Sequence, residues 1–288
     1  MTQYAGFLIL SLLICATNSV SLNSDSSRHI SNQLGEIPFR DAEPENIRVR
    51  IESWVYLEGP YSFSEEKMST RLNELGYLPG QKPRSFFGKP APRHHPYVDP
   101  PWHNETIKED LEKRGFIYPE DAVDWILISV YSGDQGELEI YSTPAIVLAD
   151  GSVFFIGDSH FSIPKSNESY WLGIQHRNHL PVKSPVSLPL IDNVLSFDFR
   201  KLDLVESSVA GLKVLDNGVS VMYAGNGDQN SHSLASVSID EDDLSLWSAQ
   251  NGKNSSYYQM DLDLNGDVTV RDKELLFSNY GQTIQRTR

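Results

Sequence analysis

AVDWILISVYS, residues 122–132, carries an apolar or β-branched side chain at nearly every position. A strand with one wet face alternates apolar and polar residues, so this unbroken run reads as a central strand covered on both faces. Its neighbours fit a sheet around it. GELEIYSTPAIVLADGSVFFIGD (136–158) reads as strands joined at the turn of Ala149, Asp150 and Gly151, and SYWLGIQHRN (169–178) and NVLSFDF (193–199) supply two more. Upstream, IRVRIESWVYLEG (47–59) places Ile47, Val49, Ile51, Val55 and Leu57 on one face of a half-buried strand ending at Gly59. Short strands punctuated by turns predict a mainly β fold, an antiparallel β-sandwich of the immunoglobulin or prealbumin type over residues 46–215, with a barrel as the alternative. Residues 60–101 are rich in proline and glycine and predict an extended surface insertion, while SEEKMSTRLNELG (64–76) predicts one short helix closed by Gly76.

The chain of 288 residues carries a formal charge of −15, which disfavours nucleic acid and anionic lipid and favours cations as partners. Its one cysteine, Cys15, lies in the apolar run YAGFLILSLLICAT (4–17), which reads as the core of a signal peptide over residues 1–21 and is too short to span a bilayer. Residues 22–45 read as a flexible tail. A secreted or cell-surface chain without cysteines beyond its leader has no disulfide, and a bound divalent cation can stabilise the folded state in its place.

Beyond Met222 the sequence repeats itself. At a constant offset of 29, Asp243 falls on Asp272, Leu246 on Leu275, Trp247 on Leu276 and Gly252 on Gly281, so residues 220–284 predict two copies of one small loop-and-helix unit. The second copy, DLDLNGDVTVRD (261–272), has the oxygen spacing of a calcium loop. Asp261, Asp263 and Asn265 are candidate ligands through their side chains and Asp267 through its carbonyl. Thr269 would act through a water, Asp272 closes the shell, Gly266 permits the turn and Val268 points to the core. In the first copy, NGDQNSHSLASVSIDEDD (226–243), Asn226, Asp228, Asn230 and Asp243 are the corresponding ligands, with Ser231 in place of the glycine and a longer loop, which predicts weaker binding. Calcium fits better than magnesium, which demands near-ideal octahedral geometry.

Residues 222–281 thus resemble a pair of dockerin type I repeats, calcium loops closed by Asp and each followed by a short helix. VYLEGPY (55–61), MSTRLNELGYLP (68–79), VDWILISV (123–130) and YWLGIQHRNHLPVKSPVSL (170–188) are similar to an uncharacterised family of secreted, Bacteroidetes-like proteins with a β-sandwich before dockerin-like repeats. That family has no established enzymatic activity. The resemblance implies calcium binding and docking to an extracellular protein module, with recognition positions just before the closing ligands. These are Glu241 and Asp242 in one copy and Val270 and Arg271 in the other, and their mismatch argues against a symmetric docking face.

Other groups carry alternative readings. His176 and His179 in HRNH could converge on a metal if the chain turns at Asn178, with His160, His94, His95 or His103 as further ligands, which would make a metal hydrolase. The competing reading has both imidazoles bonded to backbone at a strand corner while Arg177 pairs with a carboxylate. No glutamate stands at a general-base spacing beside them. Glu58, Asp124 and Asp158 at strand ends could serve a polysaccharide-degrading enzyme. Among Trp54, Trp102, Trp125, Trp171, Tyr97 and Tyr170, Trp102 is the best candidate for an exposed sugar-stacking ring. The sequence therefore predicts a secreted calcium-binding β-sandwich module for adhesion or extracellular assembly, with protein or glycan partners. An enzyme component or a calcium-rigidified spacer is the alternative.

Overall fold

The structure, a computed structural model, describes residues 45–165, 170–201, 209–229 and 236–285. The expected leader, almost all of the expected tail, and Asn230 lie outside these residues. In chain order the first strands are β1 (Asn46–Trp54), β2 (Tyr61–Ser62), β3 (Lys67–Met68), β4 (Ala122–Ser132), β5 (Leu138–Leu148), β6 (Val153–Phe154) and β7 (His160–Pro164). There follow β8 (Trp171–His176), β9 (His179–Lys183), β10 (Val194–Asp198), β11 (Leu212–Val214), β12 (Ser220–Met222), β13 (Ser236–Ser238) and β14 (Thr283–Gln285). The helices are α1 (Arg71–Leu75), α2 (Leu111–Arg114), α3 (Glu241–Gln250) and α4 (Val270–Ser278).

The largest sheet has five antiparallel strands in the order β6-β5-β4-β8-β9, and the unbroken apolar run is its centre. Every residue of β4 except Tyr131 is buried. The predicted turn after β5 forms, with Gly151 at φ +84° and the Leu148 amide bonded to the Ser152 carbonyl at 2.9 Å. A second sheet, β10-β1-β7, shares its core with the first. Val49, Ile51, Ile163 and Leu195 belong to the same buried cluster as Ile126, Ile128 and Ile146, so the body is a β-sandwich.

Two expectations are corrected. β1 runs parallel to β10, so the smaller sheet is mixed rather than antiparallel. Parallel neighbours need a long crossover, and here the whole five-stranded sheet intervenes in sequence. The proline-rich insertion, in turn, is a surface excursion only in part: residues 81–94 are exposed or half-buried, but the segments on either side pack down. It contains α1, closed as predicted by Gly76 at φ +76°, and it buries Leu72, Tyr77, Leu78 and Tyr97 against the large sheet. Tyr97 donates to the Trp125 carbonyl at 2.9 Å, while Trp125 Nε1 donates to Tyr118, whose hydroxyl donates to the Pro79 carbonyl, both at 2.7 Å. Prolines leave few backbone donors to satisfy, so such a strap can lie on a sheet with three tyrosine and tryptophan polar atoms as its pins. Asn104, in one glycosylation-like NET triplet, is buried beneath it with its amide on Ser142.

The C-terminal segment has its own apolar cluster, in which Val237, Ile239, Trp247, Met260, Leu262, Val268 and Leu276 pack with Leu180 and Ala224 of the body. Val268 faces inward as its loop position predicts. The expected sandwich segment 46–215 and repeat segment 220–284 lie within one compact unit, Glu43–Arg288. A Cβ on Gly59 would stand 1.8 Å from the Leu262 carbonyl oxygen, and one on Gly266 would stand 2.7 Å from the Tyr77 ring. The second loop is therefore wedged between the end of the first strand segment and the strap. Among the described residues no helix is long and apolar enough to cross a membrane.

Candidate metal centre

The repeat seen in sequence reappears as a repeat of hydrogen bonds. Asp272 accepts the Leu262 amide at 2.7 Å, the Asp263 amide at 3.3 Å and the Thr269 amide at 2.7 Å. Asp243 accepts the amides of Gly227 at 2.7 Å, Asp228 at 3.0 Å and Asp240 at 2.9 Å. Each aspartate thus ties its loop entry to the helix that follows, and each helix starts with a reciprocal capping box, on Thr269 for α4 and Asp240 for α3. The backbone agrees at the same offset. Val268 exchanges bonds with Gly252 and Lys253, and Ile239 exchanges the equivalent bonds with Gly281 and Gln282, all between 2.8 and 2.9 Å. Trp247 Nε1 of α3 donates to the Thr269 carbonyl at 3.0 Å and clasps one copy to the other.

In the second loop Asp261, Asp263 and Asp272 are buried and each offers a carboxylate oxygen, all within 4.8 Å of one another. Oxygens on opposite sides of a calcium ion stand about 5 Å apart, so this spacing suits the ion. Asp261 is held in place by the Asn265 amide at 3.0 Å and the Gly266 amide at 2.8 Å. Asn265 Oδ1 accepts the Asp267 amide at 2.8 Å, and Asp267 turns its carboxylate to the Ser255 amide at 2.8 Å, consistent with use of its carbonyl as a ligand. Thr269 serves as the N-cap of α4, its hydroxyl accepting the Arg271 amide at 3.2 Å. Arg271, expected at a recognition position, instead pairs with Asp263 Oδ2 at 2.9 Å.

Among the described residues two oxygens of the loops are buried without a hydrogen-bond partner, Asp263 Oδ1 and Asn226 Oδ1. Burying an unpaired oxygen costs about 1–3 kcal/mol, and a hard cation is the kind of group that would satisfy it. In the first loop the carboxylates within 4.8 Å of one another are Asp228, Asp240 and Asp242, two of which the sequence pattern did not single out because the loop is longer than the motif. Asp240 is found by carrying Thr269 back across the offset of 29.

The electrostatics favour a cation. Burial first, then repulsion from Asp272, raises the Asp261 carboxyl well above its usual range despite the opposing Arg177. Burial and Asp272 bring Asp263 to about 6, against Arg271, and burial brings Asp243 to about 7. Groups with raised folded pKa stabilise the fold fully below the unfolded value, and that contribution disappears as pH rises through the folded value. Metal-free protein should therefore lose stability between pH 5 and 8, and saturating calcium should remove or reverse the slope. Urea unfolding at both pH values, with and without calcium chloride, measures this, and a flat metal-free profile would contradict it.

No family model matches the chain, and no curated protein matches it. Among solved structures it is similar to a chain of a C-terminal interface mutant of a type II cohesin–X-dockerin complex from Acetivibrio cellulolyticus. The TM-score is 0.35 at 11% identity, covering 81% of this chain and 96% of that one. A chain of an N-terminal interface mutant of the same kind of complex gives a TM-score of 0.29 at 19% identity, covering 58% of this chain and 89% of that one. Both are loose resemblances.

The HRNH corner has another task. His176, Arg177, Asn178 and His179 are fully buried where β8 turns into β9. The chain does turn at Asn178, and the imidazoles meet with their Nδ1 atoms 2.9 Å apart. Burial lowers the pKa of both, of His179 strongly, with the neighbouring Arg177 charge adding to it. Arg177 pairs with Asp124 at 3.0 Å, lies over the Tyr257 ring at 4.1 Å, and donates to the Tyr258 carbonyl. Asn178 donates to the carbonyls of Gln259 at 3.0 Å and Asp261 at 2.8 Å, and the Gly225 amide donates to the Asn178 carbonyl at 2.9 Å. Gln229, next to the first loop, donates to the Arg177 carbonyl at 2.8 Å. The corner thus holds both loops to the sheet. Glu58 makes a second tie, accepting from Lys213, the Ala224 amide and Asn279 at the end of α4. Asp158 pairs with Arg48 on the surface, so Glu58, Asp124 and Asp158 are each taken up by separate partners.

Proposed function

We propose that this chain is a secreted, calcium-stabilised recognition module for extracellular assembly, in which the second of two dockerin-like loop-and-helix repeats binds calcium and the pair presents a helix face to a protein partner. The observation that carries the reading is the convergence of three buried carboxylates, Asp261, Asp263 and Asp272, with one oxygen of Asp263 lacking any partner. Residues 226–274 hold ten acidic against three basic side chains, so the folded loops repel themselves until a cation neutralises them. Extracellular calcium modules work at about 10⁻⁴–10⁻³ M, a range that suits a chain with an N-terminal leader pattern. For a partner, α4 offers Val270 and Phe277 at 65% and 50% exposure, seven residues apart and so on one side of the helix, with Tyr280 just beyond its end at 45% exposure and its ring stacked on Phe277.

Calorimetric titration of metal-free protein with calcium chloride tests the cation. One site of about 10⁻⁴ M or tighter that disappears in Asp261→Ala supports the reading, and heat that survives this change, or equal affinity for magnesium, overturns it. The HRNH imidazoles face each other in a closed interior, which favours this function over a histidine-metal hydrolase.

A further inference from the structure

A cleft of about 780 Å³ runs between the proline-rich strap and the C-terminal repeats. One wall is Pro92 to Trp102 of the strap; the other is the first loop, α3 and residues 257–259. We infer that this cleft is a binding site for a neutral saccharide, with Trp102 and Tyr258 as its stacking rings and the polar side chains around them as acceptors and donors for sugar hydroxyls.

The rings are preorganised. Trp102 is half-buried, its Nε1 donates to Gln175 Oε1 at 2.8 Å, and its ring stands edge-on to Tyr97 at 4.9 Å. Tyr258 is held at its hydroxyl, which accepts from Lys89 at 2.8 Å and donates to the Asn254 carbonyl at 3.0 Å. Rings fixed in this way lose little freedom on binding a flat apolar face such as that of a pyranose. Gln250 and the carboxylates of Asp99 and Asp242 stand on the rim, so the lining alternates apolar surface with directional polar groups.

The chemistry narrows the ligand. Among the described residues the lining holds three aspartates, Asp99, Asp228 and Asp242, against one lysine, Lys253, which disfavours uronic and sulfated sugars, acidic peptides and nucleic acid. None of the lining residues belongs to a strand, so a peptide cannot add to a sheet edge there. Among the described residues Leu246 is the only aliphatic side chain of the lining apart from the prolines, too little for an amphipathic helix. Asp228 and Asp242 of this lining also belong to the first-loop carboxylate group, whereas the proposed cation site is the second loop, so the two readings fail separately.

The test is calorimetric titration of the full chain, in calcium chloride, with neutral oligosaccharides of two to six units from the cello-, xylo-, manno-, laminari- and malto-series. At least one series should bind at 1 mM or tighter, and Trp102→Ala should weaken it at least tenfold. Because that change also removes the Gln175 bond, Asp99→Ala, on an exposed part of the strap, is the second variant and should weaken binding at least threefold with an unchanged melt. Calcium affinity should stay the same in both variants, which separates this result from failure of the calcium site. No binding by any series overturns the inference, as does binding indifferent to both variants, or Trp102-dependent binding of a proline-rich peptide where no sugar binds.

Discussion

Arg177→Met will destabilise the folded chain by about 3–5 kcal/mol, because it leaves the Asp124 carboxylate buried without its cation. Asp124 is wholly inaccessible, and its other partners are neutral donors, Tyr257 and the Trp125 amide at 2.7 Å each and His176 at 3.3 Å. Burial alone would raise its pKa, but Arg177, His176 and Tyr257 together bring it to about 2. A lowered folded pKa stabilises above the unfolded value of about 4 and loses that contribution as pH falls through the folded value. Wild-type protein should therefore keep this contribution down to mildly acidic pH, whereas in the variant burial should raise the Asp124 carboxyl, so that its deficit is largest near neutral pH and shrinks as pH falls and the carboxyl protonates. For a unit of this size the melting temperature should drop by roughly 6–20 °C. Adding Asp124→Asn should restore part of the loss, since an unpaired buried amide is less costly than an unpaired buried charge. A single-variant loss below about 1 kcal/mol would show that the pair is dispensable and that the corner is held by packing alone.

Asp272→Ala should abolish the calcium-induced rise in stability, which for a site at 100 times its Kd is about 2.7 kcal/mol. Even without the ion the change removes the acceptor of three loop amides and the N3 member of a capping box, a cost of about 1–3 kcal/mol. Asp243→Ala is the matched control, because Asp243 accepts the equivalent three amides in the first copy. It should reproduce the metal-free loss while leaving the second loop's calcium response in place. Thermal melts of both variants in chelator and in calcium chloride separate the two contributions. A full calcium response in Asp272→Ala would exclude the second loop as the site.

The parts of this molecule that were legible in sequence are those fixed by local rules. An unbroken apolar run marks a strand buried on both faces, a glycine after a short helical pattern marks its stop, and alternate oxygens around Gly266 mark a loop that gathers carboxylates. The parallel pairing of β1 with β10 has no local signature, because strands this far apart find one another through burial on a common face. The packing of the strap has no local signature for a similar reason. Its prolines exclude ladders, but the three side-chain bonds that press Tyr97, Tyr118 and Trp125 together depend on positions far apart in sequence. In HRNH the sequence offered either two converging imidazoles or an arginine pairing with a carboxylate. Both geometries form, and the burial of the whole corner decides its use. Asp240 and Asp242, whose carboxylates lie near that of Asp228, escaped the motif because the longer first loop departs from the usual spacing.

The close approach of Gly59 to Leu262 joins residues about two hundred positions apart. During translation the first strand leaves the ribosome long before the loop that braces it, and until that loop is made the body stays incompletely closed. A truncation before Asp261 would then release not a shorter module but a nascent polypeptide with an unfinished flank, a natural target for proteases and holding chaperones.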